Sequence, residues 1–485
     1  MFATFAALSR GEAWSFPALR PHQREPWHAF TVQVAALALI RAGLEEPPVE
    51  EAAWRDLLLA LTPDQPGGEA WELVMDDWSK PALLQPPIVV AGDRADYKNR
   101  LPTPDALDML VTAKNHDVKQ ERIAEADEQD WLFALVTLQT TEGFLGAGNY
   151  GISRMNGGFA TRMSLGVRPS GRGAAGAFRR DVRRLVADAR GRSDYRRGLP
   201  LLWTEPWDGV RSLDFTKLDE LYVEICRRVR LKHGANGIEA LAAGSKAARV
   251  AASELKGRTG DPWAPLKADG STSVTPNGGG FGYRAMTRLL RSGETTLPLL
   301  ARPHDEDERA GLSITAAALV RGQGKTEGLH RRTVRTSRME ELWEGGPAEA
   351  LDRVGEVAAG RAGEAGEAGK RLRRALIMLV QGGPEQARLD DDAAGRKVDP
   401  WMRRFDALVD GVFFDDGLWV EAAGHGLPHR TRWRDRLRDM ARAMLDQASE
   451  SAPRTEMRRI RAIARARTML DAQMNKWIKE VPDGG

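Results

Sequence analysis

The sequence predicts an α+β protein, with a large mixed N-terminal domain over residues 1–340 followed by a C-terminal four-helix bundle over 341–485. Three observations lead there. Helix-spaced apolar residues run through the first 60 positions, and glycine- and proline-punctuated segments with short β-branched runs fill the middle. From about Met339 onward, β-branched alternation disappears and Ala, Leu, Arg and Glu dominate. With 485 residues, 42% of them hydrophobic, the chain can bury a full core.

In chain order, Phe30, Val34, Leu37, Ala38 and Arg41 follow amphipathic helical spacing, and Trp54, Leu57, Leu58 and Leu61 repeat it before Pro63. PALLQPPIVV, Pro81 to Val90, reads as a turn leading into a strand, because Ile88, Val89 and Val90 follow two prolines. An apolar helix-like run from Leu107 passes into the polar stretch TAKNHDVKQ, Thr112 to Gln120, which reads as a loop, and Trp131 to Gln139 resumes a helix. EGFLGAGNYGISRMNGGF, Glu142 to Phe159, then carries glycines at 143, 146, 148, 151, 157 and 158. That density costs backbone entropy and points to positive φ or to close approach of a partner. PNGGGFGY, Pro276 to Tyr283, reads as a turn.

The C-terminal helices are expected at Met339 to Gln381, Pro400 to Phe414, His429 to Ser449 and Pro453 to Ile478. In the last, Ile460, Ile463, Ala464, Leu470, Met474, Trp477 and Ile478 share one face. Arg458, Arg459, Arg461 and Arg465 fall mainly elsewhere. Between Arg430 and Arg467 there are twelve arginines against five acidic residues, an excess of seven positive charges. Such an excess is either a solvated helix face or a surface that tracks phosphates through bidentate guanidinium contacts.

Several function classes are excluded. The longest apolar run, Val34 to Ile40, is far short of the ~20 residues of a membrane helix, and the N-terminus lacks an apolar stretch of signal-peptide length, so a cytoplasmic protein without a membrane partner is expected. Cys226 is the only cysteine and sits in the apolar run LYVEIC, which excludes multi-cysteine zinc sites and suggests a core residue. HGLPH, His425 to His429, contains Gly426 and Pro428 and reads as a loop or helix entry, so no metal is expected. Asp390 to Asp392 and HDEDE, His304 to Glu308, read as solvated loops. With 71 Lys and Arg against 68 Asp and Glu, the net charge of +3 says little about nucleic acid.

VRGQGKTEG, Val320 to Gly328, resembles a phosphate-binding loop at Gly324, Lys325 and Thr326. A P-loop needs a further glycine five residues before the second, where the backbone turns so that its N–H groups converge on phosphate, and Leu319 stands there. The run Val412, Phe413, Phe414, Asp415 lies in the helical region and offers no buried parallel strand for a magnesium-binding acid.

In order along the chain, PALLQPP, the glycine-rich stretch, ALVRGQGKTEGLHRR (Ala318 to Arg332) and the arginine-rich RAIARARTML resemble CasA, the large subunit of the type I-E Cascade CRISPR surveillance complex. The resemblance covers most of the chain, thinly. It implies that Gln323 is a wedge entering DNA beside the protospacer-adjacent motif. Gly322 and Gly324 would then supply backbone contacts in the minor groove, with Lys325 close to phosphate. A minor groove admits only a slim backbone, and an inserted side chain unstacks a step at a cost of a few kcal/mol. The protein would read the short motif while guide RNA pairing reads the rest.

The same resemblance implies that Gly148, Asn149, Tyr150 and Gly151 form a glycine loop facing the motif duplex. Lys114, Asn115 and His116 would be the tip of a loop inserted into the crRNA-bearing neighbour. Lys256, in ELKGRTGDPW, would be a lysine finger, with Arg258 as its rival. Many relatives carry zinc-binding cysteines; here that subsite is absent or replaced by packing. The bundle, with Arg458, Arg459, Arg461 and Arg465, would contact target DNA and the displaced strand.

The resemblance thus implies a non-catalytic subunit without a cofactor. Its partners would be other Cascade subunits, crRNA, double-stranded target DNA and a recruited helicase-nuclease. Two other readings stay open on the residues alone: a free-standing DNA-binding or regulatory protein with a basic bundle, and a P-loop-like nucleotide hydrolase resting on GQGKT.

Overall fold

The structure is a computed structural model and describes residues 1–12, 16–108, 123, 125–157, 161–304, 307, 311–322, 325–336, 339–343, 346–424, 426–451 and 455–479. The chain divides into two compact units: Met1–Phe281 with Gly293–Val334, and Gly282–Ser292 with Arg335–Gly485.

The first unit is built around one helix. Helices α1 (Phe2–Arg10) and α3 (Glu51–Ala60) flank α2 (Arg24–Ala42), in which every residue from Pro26 to Ile40 is buried. A helix that is apolar on all sides can satisfy itself only in the middle of a core. The single amphipathic face expected from Phe30, Val34 and Leu37 is thus part of a wholly buried surface. Gly43 ends α2 at φ 72°, its left-handed turn satisfying the last carbonyls. Helices α4 (Glu128–Thr141) and α5 (Gly173–Gly191) pack on α2, and the α4 start is fixed by Asp127, whose carboxylate accepts from the Gln129 and Asp130 N–H groups. His28 on α2 meets Asp181 on α5 at 2.8 Å.

Small sheets surround this core. Strand β1 (Asn99–Leu101) belongs to a three-stranded antiparallel sheet, and β2 (Ser164–Pro169) belongs to another. Two parallel pairs are formed by β3 (Leu199–Leu201) with β5 (Leu218–Val223), and by β4 (Leu213–Asp214) with β8 (Val250–Ala251). Strands β6 (Arg228–Gly234) and β7 (Gly237–Ala243) form a hairpin that β1 extends in the order β1-β7-β6. Strands β9 (Leu266–Lys267) and β10 (Thr295–Thr296) pair, and the long β11 (Leu312–Gly322) and β12 (Lys325–Arg335) complete the order β12-β11-β2.

The expected strand at Ile88 to Val90 is absent. Val89 and Val90 are exposed, and Pro81 to Pro87 is a buried turn closed by an Ala82–Gln85 bridge. Two prolines remove ladder donors, and the turn's other groups are claimed from outside: Gln85 Nε2 donates to Leu73 O at 2.7 Å, and its Oε1 accepts from the Leu231 N–H at 2.6 Å. The helix-like run expected beyond Asp108 falls outside the described residues. HDEDE is not simply solvated, because the half-buried Asp307 turns its carboxylate to Arg180 at 2.8 Å.

The second unit is helical: α6 (Tyr283–Leu290), α7 (Pro347–Val380), α8 (Asp392–Val412), α9 (Asp416–Ala422), α10 (Gly426–Ala448) and α11 (Glu456–Lys479). The 34-residue α7 packs on all the others. Gly355 makes the α6 crossing possible, since a Cβ there would lie 2.6 Å from Leu290 O. Helix α8 begins earlier than expected at Pro400, because the Asp391 carboxylate caps the N–H groups of Ala393 and Ala394. The expected FFDDG separator runs into the start of α9, capped by Asp415.

Candidate nucleic-acid interface

GQGKT spans the end of one strand and the start of the next. Gly322 closes β11 and Lys325 opens β12, while Gln323 and Gly324 lie outside the described residues. A phosphate cradle needs a helix after the lysine, so that its N–H groups face the ligand. This lysine begins a strand instead, which removes the geometric basis of the nucleotide-hydrolase reading.

The base of this hairpin is tied to the glycine-rich stretch. Thr161 donates its N–H to Leu319 O at 2.9 Å, and its Oγ1 accepts the Leu319 N–H at 2.7 Å. These bonds bring Thr161 alongside β11, near the strand's end at Gly322.

The glycine-rich stretch is a closed loop. Leu145 donates to Asn149 O at 2.9 Å, Asn149 to Gly146 O at 3.0 Å and Ile152 to Glu142 O at 3.0 Å. Gly146 and Gly148 take φ of 112° and 88°, which L side chains adopt only with strain. Gly151 serves close approach instead, since a Cβ there would lie 2.7 Å from the Gly143 carbonyl carbon. Asn149 is exposed, Gly148 accepts the Ser245 N–H at 3.1 Å, and the Tyr150 ring lies 5.9 Å from Phe144.

Lys256 stands out by its backbone, a non-glycine residue at φ 49° and ψ 41°. Its carbonyl accepts the Ser273 N–H at 3.0 Å and its side chain is exposed. The next residue, Gly257, is pressed against Ser273 and against the glycine-rich stretch, where a Cβ would lie 2.9 Å from the Met155 carbonyl carbon. Left-handed non-glycine residues are uncommon and cluster at functional sites. Arg258, the rival, is also exposed but turns its Nε back to Leu255 O at 3.1 Å.

Lys114, Asn115 and His116 lie outside the described residues, but the two ends of their loop are held. Asp108 takes Arg20 and His22 at 3.0 and 2.8 Å, and Asp105 accepts the Ile123 N–H at 3.0 Å.

On the bundle, the fold consumes much of the arginine excess. Arg430 and Arg434 share Glu364 at 2.8 and 2.9 Å, Arg436 takes Asp415 at 2.7 Å, Arg442 takes Asp471 at 2.6 Å and Arg467 takes Asp446 at 2.8 Å. Arg461 and Arg465 donate to Gly382 O and Gly383 O at 3.4 and 2.9 Å, beyond the C-terminal end of α7, where partial negative charge collects. Arg458 and Arg459 are exposed and have no side-chain partner among the described residues.

Sequence reasoning missed the groups beneath the glycines. Glu224 is buried and accepts both the Ser153 N–H at 2.7 Å and the Ser153 Oγ–H at 2.9 Å. Burial pushes its carboxyl up to about 7, against the pull of Ser153, Arg154 and Arg162. Arg154 lies under the same loop, its guanidinium 4.0 Å from the Tyr222 ring centre, and Arg162 binds Asp261 at 2.5 Å. Cys226 is buried, as expected, with its thiol pushed up to about 12 by burial. A trace of it is in LYVEICRRVR, where a glutamate and three arginines interrupt a buried apolar run. Among the described residues no cluster of three or more His, Cys, Asp or Glu could hold a metal ion, and no helix is long and apolar enough to cross a membrane.

No protein-family model matches the chain, and no curated protein sequence matches it closely. Solved structures do. The chain is similar to Thermus thermophilus CasA (Cse1) with a TM-score of 0.62 and 15% identity, over 97% of this chain and 94% of that one. It is similar to the CRISPR-associated protein Cse1 from Acidimicrobium ferrooxidans at 0.59 and 16%, over 98% and 94%. Thermobifida fusca Cse1 follows at 0.53 and 13%, over 94% and 91%. The chain has the CasA (Cse1) fold over most of its length.

Proposed function

We propose that this chain is the large subunit of a type I-E Cascade complex, a non-catalytic protein that reads the protospacer-adjacent motif in duplex DNA. On this reading it promotes duplex opening and R-loop formation and helps recruit a helicase-nuclease. It works with the other Cascade subunits and crRNA. The observation that carries the reading is a juxtaposition within one CasA-like fold. The glycine loop, the Lys256 turn and the base of the Gln323 hairpin meet through Met155–Gly257 and Thr161–Leu319.

That grouping suits minor-groove entry. Gln323, between two paired strands, would offer the wedge, the glycine loop backbone, and Lys256 a charge held by a fixed turn. Lys114, Asn115 and His116 would reach the crRNA-bearing neighbour from a loop with clamped ends. Arg458 and Arg459 are among the exposed bundle arginines left to meet phosphate.

The test is target binding by the reconstituted complex on duplexes that differ only in the motif. Gln323→Ala is expected to lower R-loop yield about tenfold, the loss of one wedge interaction, while leaving guide-pairing specificity unchanged. An R-loop yield equal to wild type on every motif refutes the wedge. Co-purification with smaller subunits and a crRNA of defined length separates this reading from a free-standing DNA-binding protein, which would elute alone.

A further inference from the structure

We propose that the tetrapeptide Glu224–Arg227, which joins β5 to β6, is the positioning element that sets the shape of the glycine-rich loop. The proposal rests on the reading of that loop as duplex-facing. Side-chain and backbone groups within these four consecutive residues do the holding, and none of them needs to touch DNA.

The tetrapeptide is first fixed to α4. Gln139 Oε1 accepts the N–H groups of Cys226 and Arg227 at 2.9 and 2.8 Å, and Gln139 Nε2 donates to Arg227 O at 2.9 Å. The Cys226 thiol donates to Leu138 O at 3.1 Å. The loop begins directly after this helix, so platform and loop start from one rigid element.

From the platform, the Arg227 guanidinium spans the loop. Its Nη1 donates to Tyr150 O and its Nη2 to Gly143 O at 3.0 Å, while Glu142 balances its charge at 3.2 Å. Glu224 takes the outgoing strand at Ser153 through both carboxylate oxygens, and Tyr222 Oη lies 2.5 Å from Ser153 Oγ. Residues 143, 150 and 153 are thereby pinned, and Ala147 and Asn149 between them are exposed. A planar guanidinium is needed at Arg227, because an ammonium is a point donor that cannot bridge two carbonyls in fixed geometry. The arrangement is a clamp behind a presented surface.

The experiment uses the intact chain and two variants, Arg227→Lys and Ser153→Ala, with short duplexes randomised over one stretch as the probe. Amide hydrogen exchange at Leu145, Asn149 and Ile152 is expected to rise about tenfold in Arg227→Lys and about threefold in Ser153→Ala, with the rest of the chain unchanged. Preference among duplexes is expected to shrink about threefold or more while mean affinity stays within about twofold, because phosphate attraction does not depend on loop shape. Wild-type exchange at all three amides, or an equal rise across the first unit, overturns the proposal. If Gln323→Ala has no effect and the wild-type chain shows no preference among duplexes, the functional reading falls. The exchange result alone then decides whether the tetrapeptide shapes the loop.

Discussion

The two units both bury arginines, and although Arg162 and Arg180 in the first meet Asp261 and Asp307, the balance of acceptors differs. In the first, Arg227, Arg230 and Arg249 donate to backbone carbonyls, as in Arg249 to Leu202 O at 2.9 Å and Arg230 to Lys80 O at 3.1 Å. In the second, Arg361 and Arg434 meet carboxylates on neighbouring helices, Glu421 at 2.8 Å and Glu364 at 2.9 Å. Helices satisfy most of their own carbonyls, so a helical unit uses arginine mainly to pair acids between elements, and otherwise at helix ends, as Arg461 and Arg465 do. Irregular loops leave carbonyls open, and a guanidinium with five donors closes them. Arginine therefore fixes loop paths in one unit and helix contacts in the other.

The sharpest way to break this comparison is to remove one shared acid. Glu364→Ala leaves Arg430 and Arg434 without their carboxylate, Arg434 being buried, and is expected to destabilise the second unit by about 3 kcal/mol. Thermal unfolding followed by far-ultraviolet circular dichroism should show an early transition. A single unshifted transition would mean the pairs contribute little.

Glu224 tests the first unit by pH. Its folded carboxyl is raised to about 7, so the folded chain holds a proton that the unfolded chain releases over the range between an ordinary carboxylate and about 7. Stability contributed by this group should fall as pH rises through that window and level off above it. The span is on the order of 3 kcal/mol. Glu224→Gln should flatten this slope in denaturant midpoints taken across the window. An equal slope in wild type and variant would assign it to other groups.

The smallest effects separate the bundle arginines. Arg461→Ala with Arg465→Ala should cost about 1 kcal/mol, through lost bonds at the end of α7. Arg458→Ala with Arg459→Ala should leave stability within about 0.5 kcal/mol and lower the salt slope of DNA binding by about 2. Equal salt slopes for the two pairs would refute the distinction between occupied and open guanidinium groups.

Much of the fold was legible where period and punctuation agree. The N-terminal helices, the helix at Trp131 to Gln139 and the helical C-terminal part follow from spacing alone. Burial was harder. In α11 the sequence favours Ile460 as a core residue, yet Ile460 is 63% exposed and Met457 86% exposed, while Ala462, Ala466, Leu470, Met474 and Trp477 face inward. Gly383 explains the choice, because a Cβ there would lie 2.8 Å from Ala462 Cα, and only a small residue fits so close a crossing. Side-chain size at a contact outweighed hydrophobicity, and neither partner is visible in the other's local pattern. At the candidate site the glycines and the hairpin announced themselves through composition. Glu224 and Arg227 did not, because their role depends on a loop some 70 residues earlier in the chain.

The backbone at Lys256 has a consequence for how this protein could change. A left-handed conformation costs a lysine roughly 1 kcal/mol that glycine would not bear, less what glycine loses in chain freedom. Selection for heat resistance alone would therefore trade this lysine for glycine early. Selection for target capture would resist the exchange, so a laboratory evolution run under each pressure should part ways at this one codon.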